Sequence, residues 1–434
     1  MYKNIKKLER GIYMKNKMRD SIVVGFALFS MFFGAGNLIF PPSLGNKLGD
    51  QYLLGIVGFI LTGVGLPLLA ILACSRGNGT FEGIANKIGS KFTLIVTTVL
   101  FIAIGPLLAI PRTAATTFEI SILPLLPTWS PIIVMAIYFL INLFFVLRRS
   151  SVIDTLGKFL TPALIVILTI VIVKGIIDPI GEMVPTNATN ILSTSLLEGY
   201  QTMDALAALL FAGVISSSIV EKGYKGTEVK SILLKASVIA VVGLAFVYGG
   251  LTFIGAHTVN LVDSGISNTA LLVFIANKIL GKFGLVLIGT AIGLACLTTS
   301  IGLLTAGATF FEKVTNGKLS YKVNSIVISL ISYVIACQGV DKIVKLSVPI
   351  LSVLYPVAIT IIVVTMLNKF ITNIVAIRLA VYVSLVCGFL FSFFGNTLNF
   401  IPLASIGFGW VIPTIIALVI GLFIKPRKEL NIIE

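Results

Sequence analysis

Charge is scarce in this chain: Asp, Glu, Lys and Arg make up 11% of its 434 residues, while hydrophobic side chains make up 57%. With a mean hydropathy of +1.07, that leaves too little polar surface for a water-soluble body, and the chain reads as an integral membrane protein. Histidine occurs once, as His257, just after an apolar run, where it reads as a solvated loop residue rather than a proton relay. An intramembrane enzyme would need a base with a nucleophile, or a set of metal ligands, and a lone loop histidine supplies neither. The four cysteines, Cys74, Cys296, Cys337 and Cys387, stand apart from one another and read as small packing residues. Also missing are a GxxxxGK[ST] loop, a GxGxxG turn after a strand and an HExxH pair, so ATP is not expected to drive this chain directly. A channel would need a continuous polar pore lining, and the ionisable residues here are scattered singly.

What is present is a succession of apolar runs, each about 20 residues long, enough to cross a bilayer. They fall near 21–45, 51–74, 92–121, 130–147, 159–177, 199–220, 231–255, 282–311, 323–340, 343–366, 371–394 and 404–424. The net charge of +15 would suggest nucleic acid in a soluble domain, but the basic residues are spread among short loops, so no nucleic-acid partner is expected. Placing the N-terminus in the cytoplasm puts most Lys and Arg inside and leaves only Lys47, Arg112, Lys174, Lys278, Lys282, Lys342 and Lys345 outside. Both termini are then cytoplasmic: residues 1–20 as a basic lead rather than a signal peptide, and 425–434 as a short tail. The longest outside loops, about 178–198 and 256–281, hold no domain-sized insertion, so residues 21–424 read as one membrane domain.

The first span carries Met31-Phe32-Phe33-Gly34-Ala35-Gly36-Asn37-Leu38-Ile39-Phe40-Pro41-Pro42, and its middle is a poor helix. Two glycines and an asparagine weaken the backbone where lipid offers no replacement hydrogen bonds, which is tolerated only beside a protein-lined cavity. The expected halves are 21–33 and 37–45, the second closed by Pro41-Pro42. Opposed half-helix ends offer amides to a carboxylate and carbonyls to a cation, so one break suits an amino acid and a small ion together. In an inverted five-plus-five repeat the sixth span is equivalent to the first. A second break is therefore expected there, with Ala212-Gly213 and Ser216-Ser217-Ser218 as its candidate place and Phe211 as an apolar wall; harmless back-bonding of those serines to helix carbonyls is the equal alternative. In the eighth span, Ala295, Thr298 and Thr299 share one helix face, and a carbonyl with two hydroxyls makes a hard-oxygen site for a small cation. Interhelical hydrogen bonding is the plainer use of those hydroxyls. Three ionisable residues sit at membrane depth: Arg112, Glu119 and Asp204. An outer gate pairing Arg112 with Glu119 or Asp204 is one reading, and snorkelling of Arg112 to the outer surface is the other.

The run Gly25-Phe26-Ala27-Leu28-Phe29-Ser30-Met31-Phe32-Phe33-Gly34-Ala35-Gly36-Asn37-Leu38-Ile39-Phe40-Pro41-Pro42 closely resembles the opening signature of the bacterial branched-chain amino acid carrier family, the BrnQ type. The resemblance continues through Ile110-Pro111-Arg112-Thr113-Ala114, Thr202-Met203-Asp204-Ala205-Leu206 and Ala295-Cys296-Leu297-Thr298-Thr299. It implies a secondary transporter working by alternating access, a Na⁺-coupled symporter importing L-leucine, L-isoleucine and L-valine across the cytoplasmic membrane, with no cofactor. H⁺ coupling, or a broader set of neutral amino acids, stays open as the alternative. The implied fold is an all-α membrane protein of about twelve helices, similar to the bacterial leucine transporter. Its inverted repeats would span 21–177 and 199–366, with two extra helices in 371–424. By the same resemblance, the Ala35 and Gly36 amides hold the substrate carboxylate; Phe32 and Phe211 are apolar neighbours compatible with a branched aliphatic side chain and equally with an aromatic one. The carbonyls of Ser30, Phe33 and Ala295 and the hydroxyls of Thr298 and Thr299 form the sodium site. Asn37 matches a ligand of a second ion site, for which the sequence shows no partner set.

Overall fold

The computed structural model describes residues 17–148 and 161–425, and no strand occurs among them. The basic lead up to Lys15, Arg149 with Lys158, and Arg427 with Lys428 lie outside the described residues. The helices are α1 (Lys17–Phe32), α2 (Ala35–Leu48), α3 (Tyr52–Ile60), α4 (Leu66–Arg76), α5 (Phe81–Ala85), α6 (Ser90–Ile102), α7 (Ile110–Thr116), α8 (Pro131–Leu147) and α9 (Thr161–Ile177). The second half holds α10 (Ile191–Tyr200), α11 (Asp204–Glu221), α12 (Thr227–Ala256), α13 (Asn268–Val314), α14 (Tyr321–Ala336), α15 (Val340–Met366), α16 (Ile374–Phe394) and α17 (Val411–Phe423). Wide-turn segments at Leu61–Gly65 and Ala103–Ala109 join α3 to α4 and α6 to α7, and a third, Thr117–Ile122, continues α7. Among the described residues, counting α1 with α2, α3 with α4, α6 with α7, and α10 with α11 as single passes and leaving out the five-residue α5 gives twelve passes, the number read from hydropathy; seven continuous helical stretches are long and apolar enough by themselves to cross a membrane. α8 turns Ile132, Ile133, Leu140 and Phe144 outward, the pattern of a helix facing lipid tails.

The first pass breaks where the glycines fall. The amide of Phe33 still donates to Phe29 at 2.7 Å, then Gly34 is extended and α2 starts at Ala35. Pro41 and Pro42 do not close this half, as the sequence suggests. α2 runs through them to Leu48, because packing against α12 holds the backbone that the missing amides release. That crossing is tight: a side chain at Gly45 would strike the Thr252 carbonyl, and one at Gly255 would strike the Pro42 backbone.

The sixth pass begins at Ile191, earlier than hydropathy suggests, and its break lies at Gln201–Met203. Residues 204–221 are one continuous helix, so the expected break at Ala212–Ser218 is not there. Ser218 and its neighbours stay helical, while the chain turns at Met203, whose φ of 66° lies in the left-handed region that non-glycine residues seldom enter. The eighth pass, α13, kinks at Gly281 (φ 58°), so a lead of helix on the loop side precedes the crossing that starts at 282.

Candidate functional site: the junction of two broken helices

At the second break four carbonyls are each met by a side chain; those of Gly199 and Tyr200 also accept turn bonds from the Thr202 and Met203 amides. Thr202 Oγ1 donates to the Gly199 carbonyl (2.9 Å), and Tyr355 donates to the Tyr200 carbonyl (2.8 Å). Arg112 donates to the carbonyls of Gln201 (2.8 Å) and Thr202 (3.4 Å). Such capping is required, because a carbonyl left bare at this depth is costly. Arg112 is 3% exposed, so it does not snorkel to the surface, and its described hydrogen bonds go to these carbonyls rather than to Glu119 or Asp204. Glu119 is engaged elsewhere, accepting from the amide of Val340 (2.9 Å) at the start of α15.

Asp204, the first residue of α11, is buried. Its Oδ2 accepts from Asn37 Nδ2 (2.6 Å) and from the Tyr248 hydroxyl (2.8 Å), and Asn37 Nδ2 also meets Tyr248. Asn37 Oδ1 in turn accepts from the Gly34 amide (3.1 Å). One asparagine thereby ties the first break to the second, with α12 contributing Tyr248. Neither Tyr248, Tyr355 nor Gln201 was singled out by sequence reasoning. The available signal was a tyrosine in mid-span at 248 and at 355, since a buried phenol needs a partner.

The hydroxyl face of α13 packs against the end of α1. Thr298 Oγ1 bonds to the carbonyls of Ser30 (3.1 Å) and Ala295 (2.8 Å), and Thr299 Oγ1 to that of Ser30 (3.2 Å). Ser30 Oγ is buried there with no hydrogen-bond partner. Thus Ser30, Ala295, Thr298 and Thr299 converge, and Phe33 is fully buried at the break beside them. All the atoms that meet are hard oxygens, the donor type for a small cation.

Between the two breaks lies a cavity of about 20 Å³, walled by Phe32, Ala35, Asn37, Arg112, Asp204 and Thr299 among others. Gly36 is covered by Arg112: a Cβ there would lie 2.6 Å from Nη2. Phe211 does not line this cavity but backs Phe32, with ring centroids 6.0 Å apart. A second cavity of about 570 Å³ reaches Met31 from the end of the bundle that carries Glu82, Glu221, Lys222 and Lys313. At the opposite end the helices are tied together by Lys47–Glu198 (2.6 Å), Ser347–Gln201 (2.8 Å) and the stacked rings of Tyr200 and Tyr355 (4.1 Å). His257 belongs to that end, and it is buried rather than solvated. It packs against the ring of Phe253, and its Nδ1 lies 2.9 Å from the Phe253 carbonyl.

Residues 17–428 match the family described as branched-chain amino acid transport proteins. The chain belongs to that family. The branched-chain amino acid permease BraB of Bacillus subtilis (strain 168) is 39% identical over 441 residues, covering 95% of this chain and 98% of the permease. A putative branched-chain amino acid carrier protein of Staphylococcus aureus (strain USA300) is 36% identical over 440 residues, covering 94% and 98%. Among solved structures, the nucleobase-cation-symport-1 family transporter Mhp1 aligns with a TM-score of 0.59 at 14% identity, covering 92% of this chain and 91% of Mhp1. MhsT in complex with L-phenylalanine aligns with a TM-score of 0.57 at 18% identity, covering 92% and 98%. A Na⁺-coupled sialic acid symporter aligns with a TM-score of 0.60 at 16% identity, covering 94% and 91%. These likenesses establish the leucine-transporter fold. The family member described here is therefore a multi-pass membrane transporter of small amino acid substrates, not an enzyme.

Proposed function

We propose that this chain imports L-leucine, L-isoleucine and L-valine across the cytoplasmic membrane by Na⁺-coupled symport, with both termini cytoplasmic. The observation that carries the coupling is the meeting of Ser30, Ala295, Thr298 and Thr299 oxygens between α1 and α13. The hydroxyls of Thr298 and Thr299 now donate to carbonyls; rotated, each presents its oxygen to Na⁺, and the carbonyl it releases becomes a further ligand. The Phe33 carbonyl completes the set. Na⁺ held there lies beside the break it depends on, so ion binding favours the helix arrangement that also forms the substrate site.

The Ala35 and Gly36 amides, at the positive end of α2, attract the substrate carboxylate. Phe32, backed by Phe211, forms the apolar wall for a branched side chain. Transport proceeds by alternating access, with the ~570 Å³ cavity as the cytoplasmic vestibule and the Lys47–Glu198 end as the closed outer side. The family and the named activity of its relatives support the substrate class.

The test is uptake of labelled leucine into proteoliposomes under imposed Na⁺ or pH gradients. Uptake that rises with inward Na⁺ supports the reading; stimulation by an inward H⁺ gradient alone replaces Na⁺ with H⁺, and indifference to both removes coupling. Replacing Thr298 and Thr299 together by Ala is expected to raise the Na⁺ concentration for half-maximal uptake at least about tenfold, the effect of losing hydrogen-bonding oxygens to a charged group. Capacity at saturating Na⁺ should change far less, and an equal loss of both would count against the ion site.

A further inference from the structure

The contacts of Arg112 contain an oddity. The side chain is buried and walls the ~20 Å³ cavity, yet its Nε has no hydrogen-bond partner. Its guanidinium lies 5.4 Å from the centroid of the Phe40 ring and against the Cα of Gly36, beside the first turn of α2. Of its five N–H donors, the described bonds use one from Nη1 and one long one from Nη2, both to backbone carbonyls. Carbonyls are weak partners for an arginine, whose planar fork matches a carboxylate. The carboxylate at hand, Asp204, is instead bound to Asn37 and Tyr248.

We propose that Arg112 and the carbonyls of Gln201 and Thr202 form an exchangeable receptor for the α-amino acid zwitterion. The substrate carboxylate takes the guanidinium, and the substrate ammonium takes the carbonyls that Arg112 releases. This rests on the junction being the amino-acid site. The exchange balances hydrogen bonds, since each partner separated by the substrate gains one of opposite kind from it. Charge also balances: a zwitterion adds none to a buried site, whereas a bare acid or a bare amine would add one at considerable cost. Both ends of the receptor face matching dipoles, the amino end of α2 near Arg112 and the carboxyl end of α10 at Gln201 and Thr202. Gly36 has a defined part, because any side chain there would push the guanidinium away.

The decisive comparison is L-leucine against L-leucinamide, which keeps the side chain and the ammonium but lacks the carboxylate. Binding is read from ligand-induced thermal stabilisation of the purified full chain at fixed NaCl. Arg112→Gln is expected to weaken leucine binding about 10- to 100-fold while changing leucinamide binding less than about threefold, as loss of a charge-assisted pair predicts. Arg112→Lys should fall between, because it keeps the charge and loses the fork. Gly36→Ala keeps the arginine but displaces it, and should also lower the preference for leucine over leucinamide. This variant decides the matter if the Arg112 variants do not fold. An unchanged preference, or equal losses for both ligands, overturns the receptor while leaving the transporter reading intact. Binding of neither ligand by the unaltered chain would overturn both.

Discussion

Asn37 acts at the scale of a single residue, spanning two helix breaks. Its carbonyl oxygen holds the Gly34 amide and its amide group holds Asp204, so each end of the side chain relieves a group that the membrane interior would otherwise strand. Asn37→Ala is expected to lower stability by about 1–3 kcal/mol, because it removes these bonds together with the contact to Tyr248 and leaves Asp204 short of a donor. Tyr248→Phe removes a single donor to the same carboxylate and should cost about 0.6–1.7 kcal/mol, the range for polar contacts between membrane helices. Thermal unfolding of the two variants in detergent checks the order. If Tyr248→Phe proved the more damaging, the network would centre on the phenol rather than on Asn37.

At the scale of the elements, the crossing of α2 with α12 decides where the broken helix sits. Gly45 and Gly255 allow backbone to meet backbone there, and the first-pass break is held against α12 as a result. Gly45→Ala and Gly255→Ala are each expected to cost about 1–3 kcal/mol, since the atoms they meet are main chain and cannot move aside. Gly249 is the control on the same helix: nothing lies within 4 Å of where its Cβ would be. Gly249→Ala should therefore be neutral or stabilising by up to about 1 kcal/mol through helix propensity. Folded yield and melting temperature of the three variants, compared side by side, test whether close approach rather than glycine itself matters.

For the whole molecule, the two ends differ: one carries the large cavity reaching Met31, and the other is tied by an ion pair, a hydroxyl contact and a stacked tyrosine pair. Cysteine labelling reads that difference directly once the exposed Cys337 is replaced by Ser. Ser217→Cys lies in the cavity wall and is exposed, so a water-soluble maleimide should label it readily, and more slowly with Na⁺ and leucine present. Ser347→Cys lies under the tied end, fully buried, and should label at least about tenfold more slowly. Equal labelling of both positions would mean that the closed end is not closed in solution. The Lys47–Glu198 pair is partly exposed, so Lys47→Ala is expected to change stability by less than about 1 kcal/mol.

The sequence by itself determined the membrane class, the number of crossings and the first helix break. It also placed Ala295, Thr298 and Thr299 on one helix face. Those features rest on local physics: hydropathy over about 20 residues, glycine in a span without water, and the period of a helix. Only the tertiary structure decided the second break. Gln201-Thr202-Met203 has no glycine or proline, and its irregular backbone persists because Arg112 takes the carbonyls of Gln201 and Thr202, while the Tyr355 and Thr202 side chains reinforce the turn at Tyr200 and Gly199. The same holds for Asn37, whose partners lie 167 and 211 residues away in the chain, and for Arg112, whose bonds go to residues 89 and 90 positions on. A capping side chain can come from any helix that packs alongside, so its identity is a property of the packed bundle and is invisible in any window of sequence.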